Sequence, residues 1–252
     1  HNNNKMLTTT SIENIVALFH TKTEDMPKIS PDGECPSYTT LRNFQDVINR
    51  NAMAITSPLD PLGHLGIVVS SAEYTTISPT DDVYSEPKKP SSKPTDPSRT
   101  RSSTENTFDV HEAIRVWKDE VEIFNIHNTV KNALRNQILN SVDVKYITDL
   151  EDPSTQFLLV SPLQILNHLW TNFGEIDESD LRENEVRMKA AWNPPTPIQD
   201  LFKQMKTGQD FAKKGGGNID DTQLVRLTYG VIEDTGMFHR ELTKWREKKR
   251  SE

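Results

Sequence analysis

The triplet Asp234-Thr235-Gly236 comes closer to an active-site motif than any other stretch of this sequence. Dimeric aspartic proteases carry Asp-Thr-Gly, because their reaction needs two carboxylates that share one proton within hydrogen-bond distance. Those enzymes hold the triplet in a β-rich loop, whereas here apolar residues at helical spacing precede it and follow it. We therefore predict that the triplet ends a helix, with Gly236 in the left-handed position after the C-terminus, and that it is not catalytic.

Other residues that can do chemistry do not form a recognised arrangement. Gly215-Gly216-Gly217 lacks the GxxxxGK[ST] pattern and follows a helix, so it predicts a loop between helices instead of a phosphate-binding loop. The seven histidines include no HExxH pair, and His64 is interpreted as structural. The single cysteine, Cys35, excludes an internal disulfide and a multi-cysteine zinc site. A Ser-His-Asp site stays open from residue types alone, although no GxSxG elbow is present. We predict no enzymatic activity, no cofactor and no metal.

Charge is distributed unevenly along the chain. The net charge of −8 argues against a protein that coats duplex nucleic acid. Residues 237–252 nevertheless carry six Lys or Arg and three Glu, a net charge of +3, so the remainder carries −11. An acidic body with a basic tail is compatible with a polyanionic partner and equally with a solvated helix end, and both interpretations stay open.

Hydropathy predicts a protein without a membrane partner. Hydrophobic residues make up 34% of the chain, and its mean hydropathy is −0.66. No apolar run approaches the roughly 18 residues that suggest a membrane span. The N-terminal residues do not follow the charged-then-apolar plan of a signal peptide. We expect a cytoplasmic protein.

Apolar spacing predicts helices for most of the chain, and the fold class is therefore mostly α. The segments "SPLQ" (161–164) and "TPIQ" (196–199) each place Ser or Thr at a helix N-cap, Pro at the first helical position and Gln at the third. Asp220 with Gln223 predicts a further capped start. Residues 67–69 predict a short strand that leads into a helical turn. Two helical stripes lie in the middle of the chain, at Phe108, Ile114, Trp117, Val121 and Phe124 and at Val130, Leu134, Ile138 and Val142.

Two segments have a different composition. Residues 1–36 predict an N-terminal arm with a short helix near residues 12–19. Residues 79–105 predict an extended Pro/Ser-rich segment, in which five acidic residues balance five basic ones. We expect something to hold this segment in place, such as a groove on a neighbouring subunit.

The stretch from Pro162 to Gly217, together with the helical pattern that follows it, resembles the capsid region of Gag proteins from Ty1/copia-type LTR retrotransposons. The residues that carry the resemblance are Leu169-Trp170, Phe173-Gly174, Ile198, Phe202, the loop at Gly215 and the segment from Asp220 to Ile232. Upstream, "GHLGIVVSSAEYTTISP" (63–79) is similar to a segment of Gag-like proteins from one subgroup of such elements, so the resemblance covers about residues 37–247. Each of these motifs reflects only helix packing, so the resemblance depends on their order along the chain.

The resemblance implies two small helical domains of capsid type. An N-terminal domain would span residues 37–174, including the Pro-rich segment, and a C-terminal domain with a basic tail would span residues 175–252. Copies would assemble through pentamers or hexamers, linked by dimer contacts, into virus-like particles around the element's RNA. A CCHC zinc knuckle is absent, so the basic tail or a further downstream segment would hold RNA.

From the resemblance and the pattern of the last helix, two groups of residues are expected to act in assembly. The candidate dimer or lattice contact consists of Phe238, Leu242 and Trp245, with a purely core role as the alternative. The candidate RNA-facing residues are Lys244, Arg246, Lys248, Lys249 and Arg250. Two other functions stay open: a domesticated capsid-like carrier protein, and a helical adaptor that offers its Pro-rich segment as a peptide ligand.

Overall fold

The computed structural model describes residues 11–29, 35–79, 83–94 and 107–251. Within these residues the chain forms nine α-helices, short 3-10 helices and no strand beyond isolated bridges. The prediction of a mostly α fold is confirmed. In chain order the helices are α1 (Ile12–Leu18), α2 (Tyr38–Met53), α3 (Ser71–Ile77), α4 (Thr107–Ser141), α5 (Pro162–Phe173), α6 (Glu178–Met188), α7 (Ile198–Lys214), α8 (Asp221–Asp234) and α9 (His239–Ser251).

The chain divides into two compact units. Unit 1 comprises residues 1–36 and 40–173, and unit 2 comprises residues 37–39 and 174–252. The second half of α4 lies at the centre of unit 1, where Val130, Leu134 and Ile138 are fully buried in one cluster with apolar side chains of α2 and α5. Ile15 and Phe19 belong to the same cluster. Residues 12–29, expected as part of an arm, are therefore a layer of unit 1.

A pair of buried amides stabilises this core. Asn51 of α2 donates to the side-chain oxygen of Gln137 of α4 at 3.0 Å and to the Thr21 carbonyl at 2.9 Å. Gln137 donates to the same carbonyl at 3.1 Å, and the Thr21 amide donates back to Asn51 at 2.9 Å. Because these polar groups satisfy one another, they hold the loop after α1 against α2 and α4 without the cost of unpaired buried amides.

The strand expected at residues 67–69 is not formed. Residues Leu65–Ile67 form a 3-10 helix, and Val68 and Val69 are buried in the core of unit 1. An isolated apolar run of three residues has no neighbouring strand to pair with, so burial alone determines its place. The helical turn that was expected next is present as α3, and the Ser70 hydroxyl accepts from the Glu73 amide at 3.2 Å.

The two Ser/Thr-Pro-x-Gln segments differ in structure. At Ser161 the predicted box is present, because the Gln164 amide donates to the hydroxyl at 3.2 Å and the Gln164 side chain accepts from the Ser161 amide at 2.8 Å. At Thr196 the prediction is wrong: the hydroxyl instead donates to the Asn193 carbonyl at 2.7 Å. α7 begins at Ile198 with no side-chain cap, since Pro197 stays extended at ψ 138°.

Unit 2 contains α6 to α9 around a small core of Met188, Trp192, Leu201, Met205 and Val231. α6 and α7 approach closely at Gly208, where a Cβ atom would lie 2.2 Å from the Met188 side chain. Capping boxes begin both α6, at Asp177, and α8, at Asp220. The glycine run is a loop between α7 and α8, as predicted, and Gly216 takes a φ of +75°.

The described part of the Pro-rich segment, residues 83–94, has no regular secondary structure and lies along α4 within its own unit. The second helical stripe of α4 is buried as expected. The first stripe is only half-buried at Ile114, Trp117, Val121 and Phe124, and Phe108 has a side chain outside the described set.

Candidate assembly surface

The turn at Gly236 positions α9 against α8. α8 ends at Asp234, the Thr235 hydroxyl donates to the Ile232 carbonyl at 2.7 Å, and Gly236 has a φ of +69°. The triplet is thus a helix C-terminus, as the sequence predicts, with its aspartate exposed at the last helical position. The left-handed glycine reverses the chain, so that α9 returns along α8.

The three residues predicted for a dimer or lattice contact have different environments. Phe238 stacks on Trp192, with ring centroids 6.1 Å apart, and packs against the core of unit 2. Leu242 is half-buried, whereas Trp245 is 42% exposed and stacks on Tyr229 at 5.4 Å. Phe238 therefore packs on the core of unit 2, Leu242 and Trp245 reach a surface, and the contact expected of the three residues stays a prediction.

Leu242 and Trp245 line an apolar groove of about 420 Å³ that runs between α7, α8 and α9. Two of its walls carry large exposed apolar side chains, Phe202 at 53% and Val225 at 44%. The groove residues are Phe202, Met205, Leu224, Val225, Thr228, Tyr229, Ile232, Leu242 and Trp245. This apolar groove brings together residues from three helices, and almost all of its lining is hydrocarbon.

The predicted basic residues are not equivalent. Arg246 is paired with Glu233 at 2.6 Å, and its guanidinium lies 4.9 Å from the centre of the Tyr229 ring. Lys244 and Lys248 are exposed on α9, and the side chains of Lys249 and Arg250 lie outside the described set.

A second group of chemically capable residues lies in unit 1. His64 and His127 have ring centroids 5.8 Å apart, and the Tyr84 hydroxyl hydrogen-bonds to His127 Nε2 at 2.7 Å. Tyr74 donates to a carboxylate oxygen of Asp60. A cavity of about 490 Å³ adjoins this histidine cluster of His64, His127, Tyr84, Tyr74 and Asp60.

Burial controls the protonation of the cluster. The pKa of the His64 imidazole is lowered to about 4, first because burial disfavours its charged form and second because His127 lies beside it, while Asp60 acts in the opposite direction. Burial also lowers the pKa of His127, and it raises the pKa of the Tyr84 hydroxyl. All three groups are therefore neutral near pH 7, and the cluster is a packed structural element.

Some of the surface residues were not foreseen from the sequence. Phe202 was named only among the residues that carry the family resemblance, and Val225 and Tyr229 were not singled out. The signal for Val225 was available, because it is an apolar residue beside Leu224 and lies off the stripe that faces the core. Tyr84 was also missed, although it precedes two prolines at intervals of three residues.

No family model, curated protein or solved structure matches the chain. None of the helices in the described ranges is long and apolar enough to cross a membrane. The same residues contain no group of three or more His, Cys, Asp or Glu side chains that could hold a metal ion.

Proposed function

We propose that the protein is a structural subunit that self-assembles into a shell, and that the apolar groove of unit 2 is a contact between copies. The observation that carries this proposal is the groove itself, with Trp245 at 42%, Phe202 at 53% and Val225 at 44% exposed around one continuous apolar lining. Covering such apolar surface is favourable by about 25 cal/mol per Å², so exposed apolar side chains around a groove favour a contact with a partner.

A second copy of the chain is the occupant that fits best. The surface has a groove, and Trp245 and Phe202 in its lining remain partly exposed. A symmetric pair can bring the exposed side chains of each copy against the groove of the other, as an isologous contact requires. Aromatic side chains are also the residues that anchor protein interfaces.

The resemblance to Gag capsid regions supports the same conclusion from the sequence. Under this proposal the particles are virus-like, form in the cytoplasm and enclose RNA, with units 1 and 2 as the capsid-type domains. Lys244 and Lys248, with the basic residues that follow them in sequence, would face the interior and meet phosphates. Arg246 is set apart from these residues, because its guanidinium is paired with Glu233. A carrier that encloses other cargo would use the same surfaces.

The test uses two matched valines of unit 2. Val225→Glu places a charge in the groove, and Val186→Glu makes the same change on α6, where Val186 is 69% exposed and outside the groove. We expect particles or rings for the unmodified protein by electron microscopy. We expect at least a tenfold weaker self-association for Val225→Glu by sedimentation velocity, and less than a twofold change for Val186→Glu.

Two results would contradict the proposal. One is a protein that stays monomeric over a wide range of salt and protein concentration. The other is an equal effect of the two substitutions on self-association, since that would show that self-association does not depend on the groove.

A further inference from the structure

The Pro-rich segment 83–94 binds unit 1 as a separate peptide would. Its half-buried residues are Tyr84, Pro87, Pro90 and Pro94, while the residues between them are exposed. Tyr84, Pro87 and Pro90 are spaced by three, which is the repeat of an extended polyproline-type helix, so one face of the segment is turned to the protein. No backbone–backbone hydrogen bond joins residues 83–94 to the other described residues. The segment is therefore held by its side chains and by single polar contacts.

Tyr84 is the anchor of this segment, and Gly66 makes room for it. A Cβ atom at Gly66 would lie 2.1 Å from the Tyr84 ring, so only glycine leaves space for the aromatic side chain at this point. The ring also lies 5.6 Å from that of Tyr74, and its hydroxyl reaches His127 at 2.7 Å. These groups form a slot for one tyrosine, with a hydrogen-bond partner at its end.

Two further contacts extend from the slot along α4. Lys131 pairs with Glu86 at 2.9 Å, and the Trp117 indole donates to the Ser91 carbonyl at 2.7 Å. Between Trp117 and Lys131 on α4 lie the half-buried Val121 and Phe124, and Ile114 continues the same stripe beyond Trp117. An aromatic stripe with an indole donor that binds a backbone carbonyl is the way in which proteins recognise extended proline-rich segments, because such segments keep their carbonyls free and lose little entropy on binding.

We propose that the slot and the α4 stripe form a peptide-binding site, and that one copy of the protein can hold residues 83–94 of another copy in it. The peptide VYSEPKKPSSKP is the ligand whose contacts are seen within the chain, and none of those contacts depends on chain continuity. Residues 95–106 on one side of the segment can extend to about 40 Å, whereas the connection from Pro79 to Val83 on the other side extends to only about 13 Å. The shorter connection sets the reach, so an exchange needs two copies whose slots lie within that distance. The exchange between copies rests on the proposed self-assembly, because assembly raises the local concentration of the segment. The peptide site itself does not depend on self-assembly.

The peptide site is tested in the full chain carrying Tyr84→Ala, which empties the slot. A fluorescent peptide of residues 83–94 is titrated with this protein, and binding is followed by anisotropy. We expect saturable binding, and at least a tenfold loss for the same peptide with alanine at the tyrosine position. Absence of saturation, or equal binding of both peptides, would overturn the site. This titration gives the same answer whether or not the protein self-assembles.

Reversing the charges of the ion pair between Lys131 and Glu86 controls for indirect effects on folding. Lys131→Glu in the Tyr84→Ala chain is expected to weaken binding of the unmodified peptide several-fold, and a peptide with lysine in place of Glu86 should recover it. The Lys131 side chain is 27% exposed and lies on the outer side of α4, so this variant is expected to fold. Failure of the recovery would place the peptide elsewhere on the protein and overturn the proposed site.

The exchange between copies is tested by cross-linking. One chain carries Ala113→Cys, at an exposed position one helical turn from Trp117, and the other Ser91→Cys, both with Cys35→Ser, so that each has one thiol. After the two are mixed, a short bismaleimide should give a heterodimer that is lost when the Ser91→Cys chain also carries Tyr84→Ala. No heterodimer, or one that does not depend on Tyr84, would overturn the exchange even where the peptide binds.

Discussion

Gly236 shows how one residue decides the course of the chain in unit 2. Its φ of +69° is a conformation in which residues with a Cβ atom are strained, and it allows α9 to return along α8. The space around it is open, so a side chain there would meet no atom within 4 Å. Any effect of a substitution at Gly236 is therefore due to the backbone.

Gly236→Ala is expected to lower the free energy of unfolding by about 1 kcal/mol, because alanine adopts a positive φ only at a cost. Gly230→Ala is the matched control. Gly230 lies inside α8 and also has open space around it, so alanine should stabilise the helix by up to about 1 kcal/mol. Urea denaturation followed by tryptophan fluorescence measures both. The same sign for the two variants would contradict this interpretation of the turn.

The histidine cluster makes the stability of unit 1 depend on pH. Since the folded pKa of His64 is lowered, its contribution is fully present above the unfolded value of about 6.5 and is lost as the pH falls towards 4. His127 changes stability in the same direction, while Asp60, Glu86 and Lys131 are the charged groups that face the two rings.

Between pH 7 and pH 4 we expect the His64 contribution to fall by about 3 kcal/mol, the free energy that corresponds to a pKa lowered from 6.5 to about 4. Denaturation curves over this range measure the change. His64→Gln, which cannot take up the proton, should flatten the dependence of the unfolding free energy on pH. An unchanged slope in that variant would show that the proton is taken up elsewhere.

At the scale of the elements, helix starts follow local chemistry only where the backbone allows it. Ser161 and Thr196 precede the same Pro-x-Gln pattern, yet only Ser161 caps a helix. The Thr196 hydroxyl is already bound to the Asn193 carbonyl within the turn that follows α6. A hydroxyl that hydrogen-bonds to a backbone group of its own turn is not free to cap the following helix.

Ser161→Ala is therefore expected to destabilise unit 1 by about 1 kcal/mol, since it leaves the Gln164 amide without its partner. Thr196→Ala should change the stability of unit 2 by less than about 0.5 kcal/mol, the usual range for surface substitutions. Thermal and urea denaturation of the two variants measure the difference. A Thr196→Ala variant as destabilised as Ser161→Ala would mean that the threonine does cap α7.

At the scale of the whole molecule, removing positive charge from α9 tests whether RNA retention and assembly depend on different residues. Lys244→Gln with Lys248→Gln removes two exposed cations and leaves the apolar groove intact. Lys213→Gln with Lys214→Gln, at the end of α7, is the control with the same net charge. The first pair should lower the RNA content of particles and reduce the salt dependence of RNA binding by about 1.4, near 0.7 for each lost phosphate contact.

The absorbance ratio at 260 and 280 nm of purified particles reports the RNA content, and filter binding over a series of salt concentrations reports the slope. Equal RNA content in the two double variants would show that α9 does not contribute to the RNA-facing surface. A loss of particles in the first pair would instead assign the lysines to assembly.

The sequence by itself determined the features that arise from contacts between near neighbours. The mostly α fold, the caps at Ser161 and Asp220 and the helix end at Gly236 each depend on bonds within about four residues, which the order of residue types specifies. The same local logic failed at residues 67–69 and at Thr196, where burial and a competing hydrogen bond decided the conformation.

Only the tertiary structure decided which apolar residues remain on the surface. Phe238 and Trp245 belong to one predicted helical stripe, but Trp192 stacks on the first, whereas the described residues of unit 2 leave the second 42% exposed. Likewise, Tyr84 has a slot because Gly66 and His127 come together from distant parts of the chain. Burial depends on what other segments supply, and the spacing of a segment's own residues does not contain that information.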